Sequence, residues 1–139
     1  MSRRFHSEQG AISAFVVVVA VTLVLVAGLV LDGGRIVSAR RETSSVAQNA
    51  ARAGAQAISL AEARAGTTTL DPGAASAAVA DYLARAGHRG SGRVTGDTVE
   101  VTVVDTVPML LLSIAGVGER TVQAVETARI VQGVTGAES

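Results

Sequence analysis

Length, composition and charge set the first limits on what this chain can be. It has 139 residues, with 12 basic and 12 acidic side chains, so no net charge favours nucleic acid or an acidic ligand as a partner. Its sequence contains no cysteine, which excludes disulfides, thiolate metal sites and cysteine nucleophiles. The length leaves room for one small domain at most beside a membrane segment, which excludes large enzymatic architectures.

One uncharged apolar run dominates the first part of the chain. It is AISAFVVVVAVTLVLVAGLVL, from Ala11 to Leu31. As a helix it would be roughly 32 Å long, which matches a hydrocarbon core of about 30 Å. Its valines favour a strand in water, but an isolated strand in lipid leaves its backbone polar groups unpaired. The sequence therefore predicts a transmembrane helix over 11–31, after a polar leader at 1–10 without regular structure.

The run is better interpreted as a signal anchor than as a cleaved signal peptide, because the apolar region of a signal peptide is usually shorter and ends in a small-x-small site. Gly10 directly before the run resembles the layout of a prepilin leader, which would be cut between Gly10 and Ala11. The glutamate normal five residues beyond such a cut is replaced by Phe15. We therefore expect the leader to be retained. Arginines flank the run on both sides, so charge leaves the orientation open.

Beyond the membrane the helix has reason to continue. There is no proline from Asp32 to Ala65, and small or apolar residues recur at alternating spacings of three and four, which places them on one helical face. The predicted packing face is Val46, Ala50, Ala53, Ala57 and Leu60. A second line of small residues beside it contains Ala47, Ala51 and Gly54. The sequence predicts an amphipathic, alanine-rich helix over 32–65 onto which another segment can pack closely.

The rest of the chain predicts a small α+β domain over 66–131 and a flexible tail at 132–139. Asp71 is a natural N-cap, Pro72 fits the first helical position and Gly87 is a typical stop, which gives a second helix over 72–86. Its predicted apolar face is Ala75, Val79, Tyr82, Leu83 and Ala86.

An exposed glycine-rich loop is expected over 88–92, followed by a hairpin around Gly96-Asp97. Valines at alternate positions from Val99 to Val107 indicate a strand with one buried face, and a last strand is expected from about 120 to 131. The predicted fold class is thus membrane-anchored α+β: the long helix, a second helix and a three-stranded antiparallel sheet with helices against one face. This layout resembles the general plan of type IV pilins.

Residues suited to catalysis or metal binding are sparse. His6 lies in the leader and His88 in the glycine-rich stretch, and both are expected to be solvated surface residues without a second ligand at useful spacing. No catalytic, cofactor or metal site is predicted. Asp32 has two interpretations that stay open: a functional residue where the helix leaves lipid, or an interfacial charge that stops translocation.

The apolar stretch MLLLSIAG after Pro108 also has two interpretations. The favoured one is core packing under the sheet. The alternative is an exposed contact with a partner or with the membrane.

GLVLDGGRIVSARRETSSVAQNAARAGAQAI resembles the opening of bacterial TadE/TadG-like proteins of the tight-adherence (Flp) pilus system, including their shorter actinobacterial forms. In that family a glycine-led apolar helix ends in a G-L-x-x-D-x-G-R-like boundary and continues into an alanine-rich helix. The residues that fit the boundary motif here are Gly28, Asp32, Gly34 and Arg35. The resemblance implies that the leader is cytoplasmic and that the C-terminal part lies outside the cytoplasm.

The resulting functional hypothesis is a non-enzymatic, single-pass membrane component of tight-adherence pilus assembly, with a minor-pilin-like layout. Its expected partners are the lipid bilayer and other pilin-like or assembly subunits, without nucleic acid or a small-molecule ligand. The alternative is a membrane-tethered envelope binding module unrelated to pili, which would act through its sheet domain.

Overall fold

A computed structural model of the chain describes residues 5–58, 63–64 and 69–130. These residues form two compact units. One unit comprises the described residues up to Val37 together with Val107–Arg120. The other comprises the described residues of Ser38–Thr106 and those from Thr121 onward.

The first element is helix α1, Phe5–Ala55, of 51 residues. It contains a segment long and apolar enough to cross a membrane, and the apolar side chains of that segment are exposed, as at Phe15 and Val30. The predicted start of the helix at Ala11 is wrong, because residues 5–10 of the leader are already helical. Adding turns to an existing helix needs no new nucleation, and no proline interrupts this stretch.

Helix α1 ends at Ala55, so the predicted continuous helix over 32–65 is wrong at residues 56–58, which are not helical. Its last turn tightens, with Ala57 N donating to Gly54 O at 3.1 Å. The chain then leaves the helix because tertiary pairing takes over: Ile58 forms an isolated antiparallel bridge with Leu70, and Asp71 N donates to Ala57 O. The local pattern gave no stop signal here, since the cause lies in a distant segment.

The second helix, α2, spans Pro72–Ala86, as predicted. The Asp71 carboxylate accepts hydrogen bonds from the backbone N–H groups of Gly73 and Ala74 at 2.9 and 3.0 Å, which satisfies donors that a helix start leaves unpaired. At the other end Gly87 adopts a left-handed φ of 72°, a conformation that glycine takes without steric cost. The buried residues of α2 are Ala75, Val79 and Leu83.

Three strands, β1 (Arg89–Thr95), β2 (Thr98–Pro108) and β3 (Glu119–Arg129), form one sheet in the order β1-β2-β3. The three-stranded antiparallel sheet confirms the predicted fold class. Strands β1 and β2 pair as a hairpin, with Val94 opposite Val99, and Gly96 in the turn has a φ of +60°.

The stretch 88–92 is exposed at residues 89–91, as predicted, but it is mostly strand rather than loop, because β1 begins at Arg89. Its glycines allow close packing. A Cβ on Gly92 would lie 2.9 Å from Val79 Cγ1, and one on Gly90 would lie 3.1 Å from Leu83 Cδ1. Helix α2 therefore packs directly against the backbone of β1 at Gly90 and Gly92. These glycines, whose composition suggests a loop, allow the close approach of a helix.

The hydrophobic core of the second unit joins α1, α2 and the sheet. On β2 the buried residues alternate, as predicted, because successive side chains point to opposite faces of a strand. The core cluster consists of Ala47, Ala50, Ala51, Leu70, Ala75, Val79, Leu83, Val99, Val101 and Val103.

Candidate functional site

The carboxylate of Asp32 is fully buried and binds a distant loop. Its Oδ1 accepts the backbone N–H of Leu110 at 3.0 Å. Its Oδ2 accepts those of Leu111 and Leu112 at 3.0 and 2.8 Å. Three consecutive donors thus converge on one side chain, and an ionised carboxylate accepts such hydrogen bonds most strongly.

The loop that Asp32 holds is closed by its own hydrogen bonds. It contains a short 3₁₀ helix, Leu112–Ala115, followed by Gly116 with a left-handed φ of 86°. Met109 N donates to Gly118 O at 2.9 Å, and Val117 N donates to Leu112 O at 3.0 Å. We call residues 109–118 the apolar loop, and it is a compact turn fastened at its base by Asp32.

The apolar loop also packs directly on α1. A Cβ on Gly28 would lie 2.8 Å from Leu111 Cβ, closer than two such carbons approach in proteins, so only glycine permits this contact. Gly28 and Asp32 are one helical turn apart and present the same face of α1. The glycine therefore admits the leucine side chain, and the aspartate binds the leucine backbone.

Charge at Asp32 is favoured by this geometry. The backbone N–H groups of Leu112 and Leu110 lower the pKa of the Asp32 carboxyl, although burial opposes them, and the guanidinium of Arg35 acts in the same direction as the N–H donors. The Nη1 atom of Arg35 is itself buried and has no hydrogen-bond partner among the described residues.

The apolar loop is not core under the sheet, and that favoured interpretation of MLLLSIAG is wrong for most of it. Met109 is buried, and Leu111 and Leu112 are half-buried. Leu110 and Ile114 are 63% and 81% exposed. With the backbone N–H groups of the loop bound to Asp32, the side chains of Leu110 and Ile114 remain exposed.

The remaining residues of the predicted boundary and cleavage motifs contribute little to this arrangement. Gly34 is exposed and has no atom near enough to contact an added Cβ. Gly10 and Ala11, the pair at the possible leader cleavage, lie exposed within α1.

The predicted packing face of the alanine-rich helix lies against the small domain of the same chain. Ala50 is fully buried, whereas Val46, Ala53 and Ala57 are half-buried. Leu60 lies outside the described residues. The deepest positions include Ala47 and Ala51, from the second line of small residues.

His88 is not the solvated residue that the sequence suggests, since its side chain is only 13% exposed. Its Nδ1 lies 3.6 Å from Asp105 Oδ2, and its Nε2 lies 3.8 Å from Glu42 Oε1. Within the described residues, no group of three or more histidine, aspartate or glutamate side chains could hold a metal ion.

The sequence singles out Asp32 and Gly28 but does not indicate which residues they bind. One sequence feature links them to the apolar loop. The segment VPMLLLSIAGVG has no charged side chain, and neither has the end of the apolar run that it contacts. That similarity of composition gives no register, so the three hydrogen bonds were not predictable from it.

Comparison with known proteins adds one match. Residues 10–57 match the family model described as "Putative Flp pilus-assembly TadE/G-like". No curated protein and no solved structure matches the chain significantly. The matched residues include the boundary motif, with Gly28 and Asp32, and the alanine-rich part of α1. The resemblance seen in the sequence is thus confirmed over residues 10–57, where the chain is similar to TadE/TadG-like proteins.

Proposed function

We propose that this chain is a non-enzymatic, single-pass membrane component of Flp pilus assembly, with its N-terminus in the cytoplasm and its small domain outside. The match of residues 10–57 to the TadE/G-like family is the observation that carries the proposal. A helix long and apolar enough to cross a membrane supports the anchoring. In this proposal the leader is retained and the chain stays in the membrane as a minor-pilin-like subunit.

Such a subunit would bind its partners through the surfaces that its own fold leaves exposed. The small domain of the same chain covers the alanine face of α1 around Ala47, Ala50 and Ala51. The apolar side chains of the span remain exposed, among them Val18 and Val21. Contacts with other pilin-like helices therefore fall on the span, where packing between helices rather than the hydrophobic effect drives association.

Site-directed crosslinking in intact cells tests this proposal. The natural sequence has no cysteine, so each introduced cysteine is the sole reactive thiol of the chain. Cysteines placed by Val18→Cys or Val21→Cys, 63% and 54% exposed in the wild type, should form crosslinks with subunits of the pilus system. Ala50→Cys is the matched control, because Ala50 is 0% exposed and should give no crosslink.

Deletion of the gene in a bacterium that assembles Flp pili provides the functional readout. We expect loss of surface pili and recovery on complementation with the full chain. Normal piliation in the deletion strain, together with no crosslink from either span position, would refute the proposal. Separate blots of sheared appendages and of membranes, with the intact mass measured, would establish whether the leader is kept.

A further inference from the structure

We infer that the apolar loop is a second membrane contact of this protein, with Leu110 and Ile114 inserted into the leaflet where the span ends. This inference rests on the membrane anchoring of α1 proposed above. It assigns to Asp32 and Gly28 a specific task, which is to hold a non-helical segment at membrane depth.

The depth of the loop follows from the residues of α1 that line a cavity together with it. Val24 and Gly28 lie seven and three positions before Leu31, which places them roughly 5 to 10 Å inside the end of the predicted span at 1.5 Å per residue. The loop shares a small apolar cavity with this part of the helix. The residues that line it are Val24, Leu25, Gly28, Leu111, Leu112 and Ile114.

The chemistry of the loop surface fits hydrocarbon. Ile114 and Leu110 are the most exposed apolar side chains of the loop, at 81% and 63%, and no charged residue occurs between Val107 and Gly118. Ile114 lines one cavity together with Val24 and Leu25, which are exposed apolar residues of the span, so the two apolar surfaces adjoin. A single lipid environment therefore covers both surfaces.

Many backbone N–H groups of the loop are paired within the protein, as that environment requires. Lipid offers no hydrogen bonds, so non-helical backbone at membrane depth needs its polar groups satisfied within the protein. Asp32 takes three of the donors, those of Leu110, Leu111 and Leu112. The loop itself pairs further donors, including the N–H of Ile114 with Leu111 O.

The one polar side chain of the loop, that of Ser113, is exposed but has a hydrogen-bond partner within the loop. Ser113 Oγ donates to Leu110 O at 2.7 Å, which satisfies the hydroxyl without water. A loop meant for water would not need this degree of internal pairing, because solvent supplies partners for exposed backbone. Membrane depth explains why the carboxylate is placed here.

Depth-dependent fluorescence quenching tests the inference. The full chain, with single cysteines carrying an environment-sensitive dye, is reconstituted into vesicles of phosphatidylcholine and phosphatidylglycerol. The labels replace Ile114, the span residue Val21 as a lipid reference, and Asp81, a charged and exposed residue of α2, as a water reference. Quenchers are lipids with a spin label either near the headgroup or near the chain end, and aqueous iodide.

We expect the dye at Ile114 to be blue-shifted relative to Asp81, shielded from iodide, and quenched more by the headgroup-proximal spin label than by the deep one. The dye at Val21 should favour the deep quencher. Asp32→Ala should return the Ile114 dye to the behaviour of Asp81, since the loop loses its acceptor. Gly33→Ala, a change on the same helix where an added Cβ contacts nothing, should leave it unchanged.

Two results would overturn the inference. If the dye at Ile114 is quenched by iodide as strongly as the dye at Asp81, the loop lies in water. If it is shielded from iodide and also from both lipid quenchers, a protein partner covers it. In either case, quenching of the dye at Val21 by the deep spin label would still support membrane anchoring of α1. Absence of that quenching would refute the anchoring.

Discussion

Val79 of α2 lies between Gly54 of α1 and Gly92 of β1, and this arrangement predicts that two substitutions will compensate each other. A Cβ on Gly54 would lie 2.8 Å from Val79 Cγ2 and 3.0 Å from Val99 Cγ1. A Cβ on Gly92 would lie 2.9 Å from Val79 Cγ1. Gly54→Ala therefore overfills the space around Val79, and Val79→Ala empties it.

The expected magnitudes follow from these distances. Overpacking a closed core costs about 1 to 3 kcal/mol, and alanine in place of helical glycine recovers up to about 1 kcal/mol, so Gly54→Ala should lower the unfolding free energy by about 1 kcal/mol. Val79 is 1% exposed, and Val79→Ala should cost about 2 kcal/mol through lost burial and a cavity. The new methyl fills part of that cavity. The double variant should therefore lose about 2 kcal/mol rather than the additive 3, a coupling of about 1 kcal/mol.

Urea titration of the full chain in detergent micelles measures this coupling. Tyr82 is the sole tyrosine and the chain has no tryptophan, and Tyr82 packs against the core cluster, so its fluorescence reports on the small domain. Val103→Ala is the matched control, since Val103 is equally buried but is not among the three nearest contacts of Gly54. Additivity of Gly54→Ala and Val79→Ala within about 0.5 kcal/mol would refute the packing argument.

Three further predictions concern the apolar loop and the cap of α2. Gly28→Ala should displace Leu111 and accelerate amide exchange in the loop, whereas Gly33→Ala should not; equal exchange in both variants would contradict the close contact. Because the folded pKa of Asp32 is lowered, its contribution to stability is fully present above the ordinary carboxyl pKa of about 3.9 and is lost as pH falls through the lower folded value. Loop exchange corrected for intrinsic rates should then rise only in acid, and a rise centred near neutral pH would oppose this assignment. Asp71→Ala should cost the small domain about 1 kcal/mol in the same urea titration, and Asp71→Asn clearly less.

The elements that the sequence predicted well have causes within a few residues. The cap residues around α2, the turn glycine at Gly96 and the alternating valines of β2 each act on their immediate neighbours. The length and lack of charge of 11–31 likewise need no knowledge of the rest of the fold. Local chemistry of this kind can be identified without any tertiary contact.

The errors occurred where a distant segment overrides the local pattern. The alanine-rich periodicity continues past Ala55, but the pairing of Ile58 with Leu70 ends the helix. Glycines such as Gly90 and Gly92 are typical of a loop, yet these two lie in a strand. Helix α2 packs against them and occupies the space that a side chain would need. In both cases the competing contact is absent from the local window.

By itself, the sequence determined the long apolar helix, the second helix, the hairpin and the similarity to TadE/TadG-like proteins over 10–57, because hydropathy, capping and turn chemistry are properties of neighbouring residues. Only the tertiary structure decided what Asp32 does. Its three donors lie 78 to 80 positions away along the chain, so a residue that could be either a functional group or a boundary charge became the acceptor that fastens an apolar loop. Hydrogen bonds between such distant segments depend on how the chain folds back on itself, and no local pattern encodes that register.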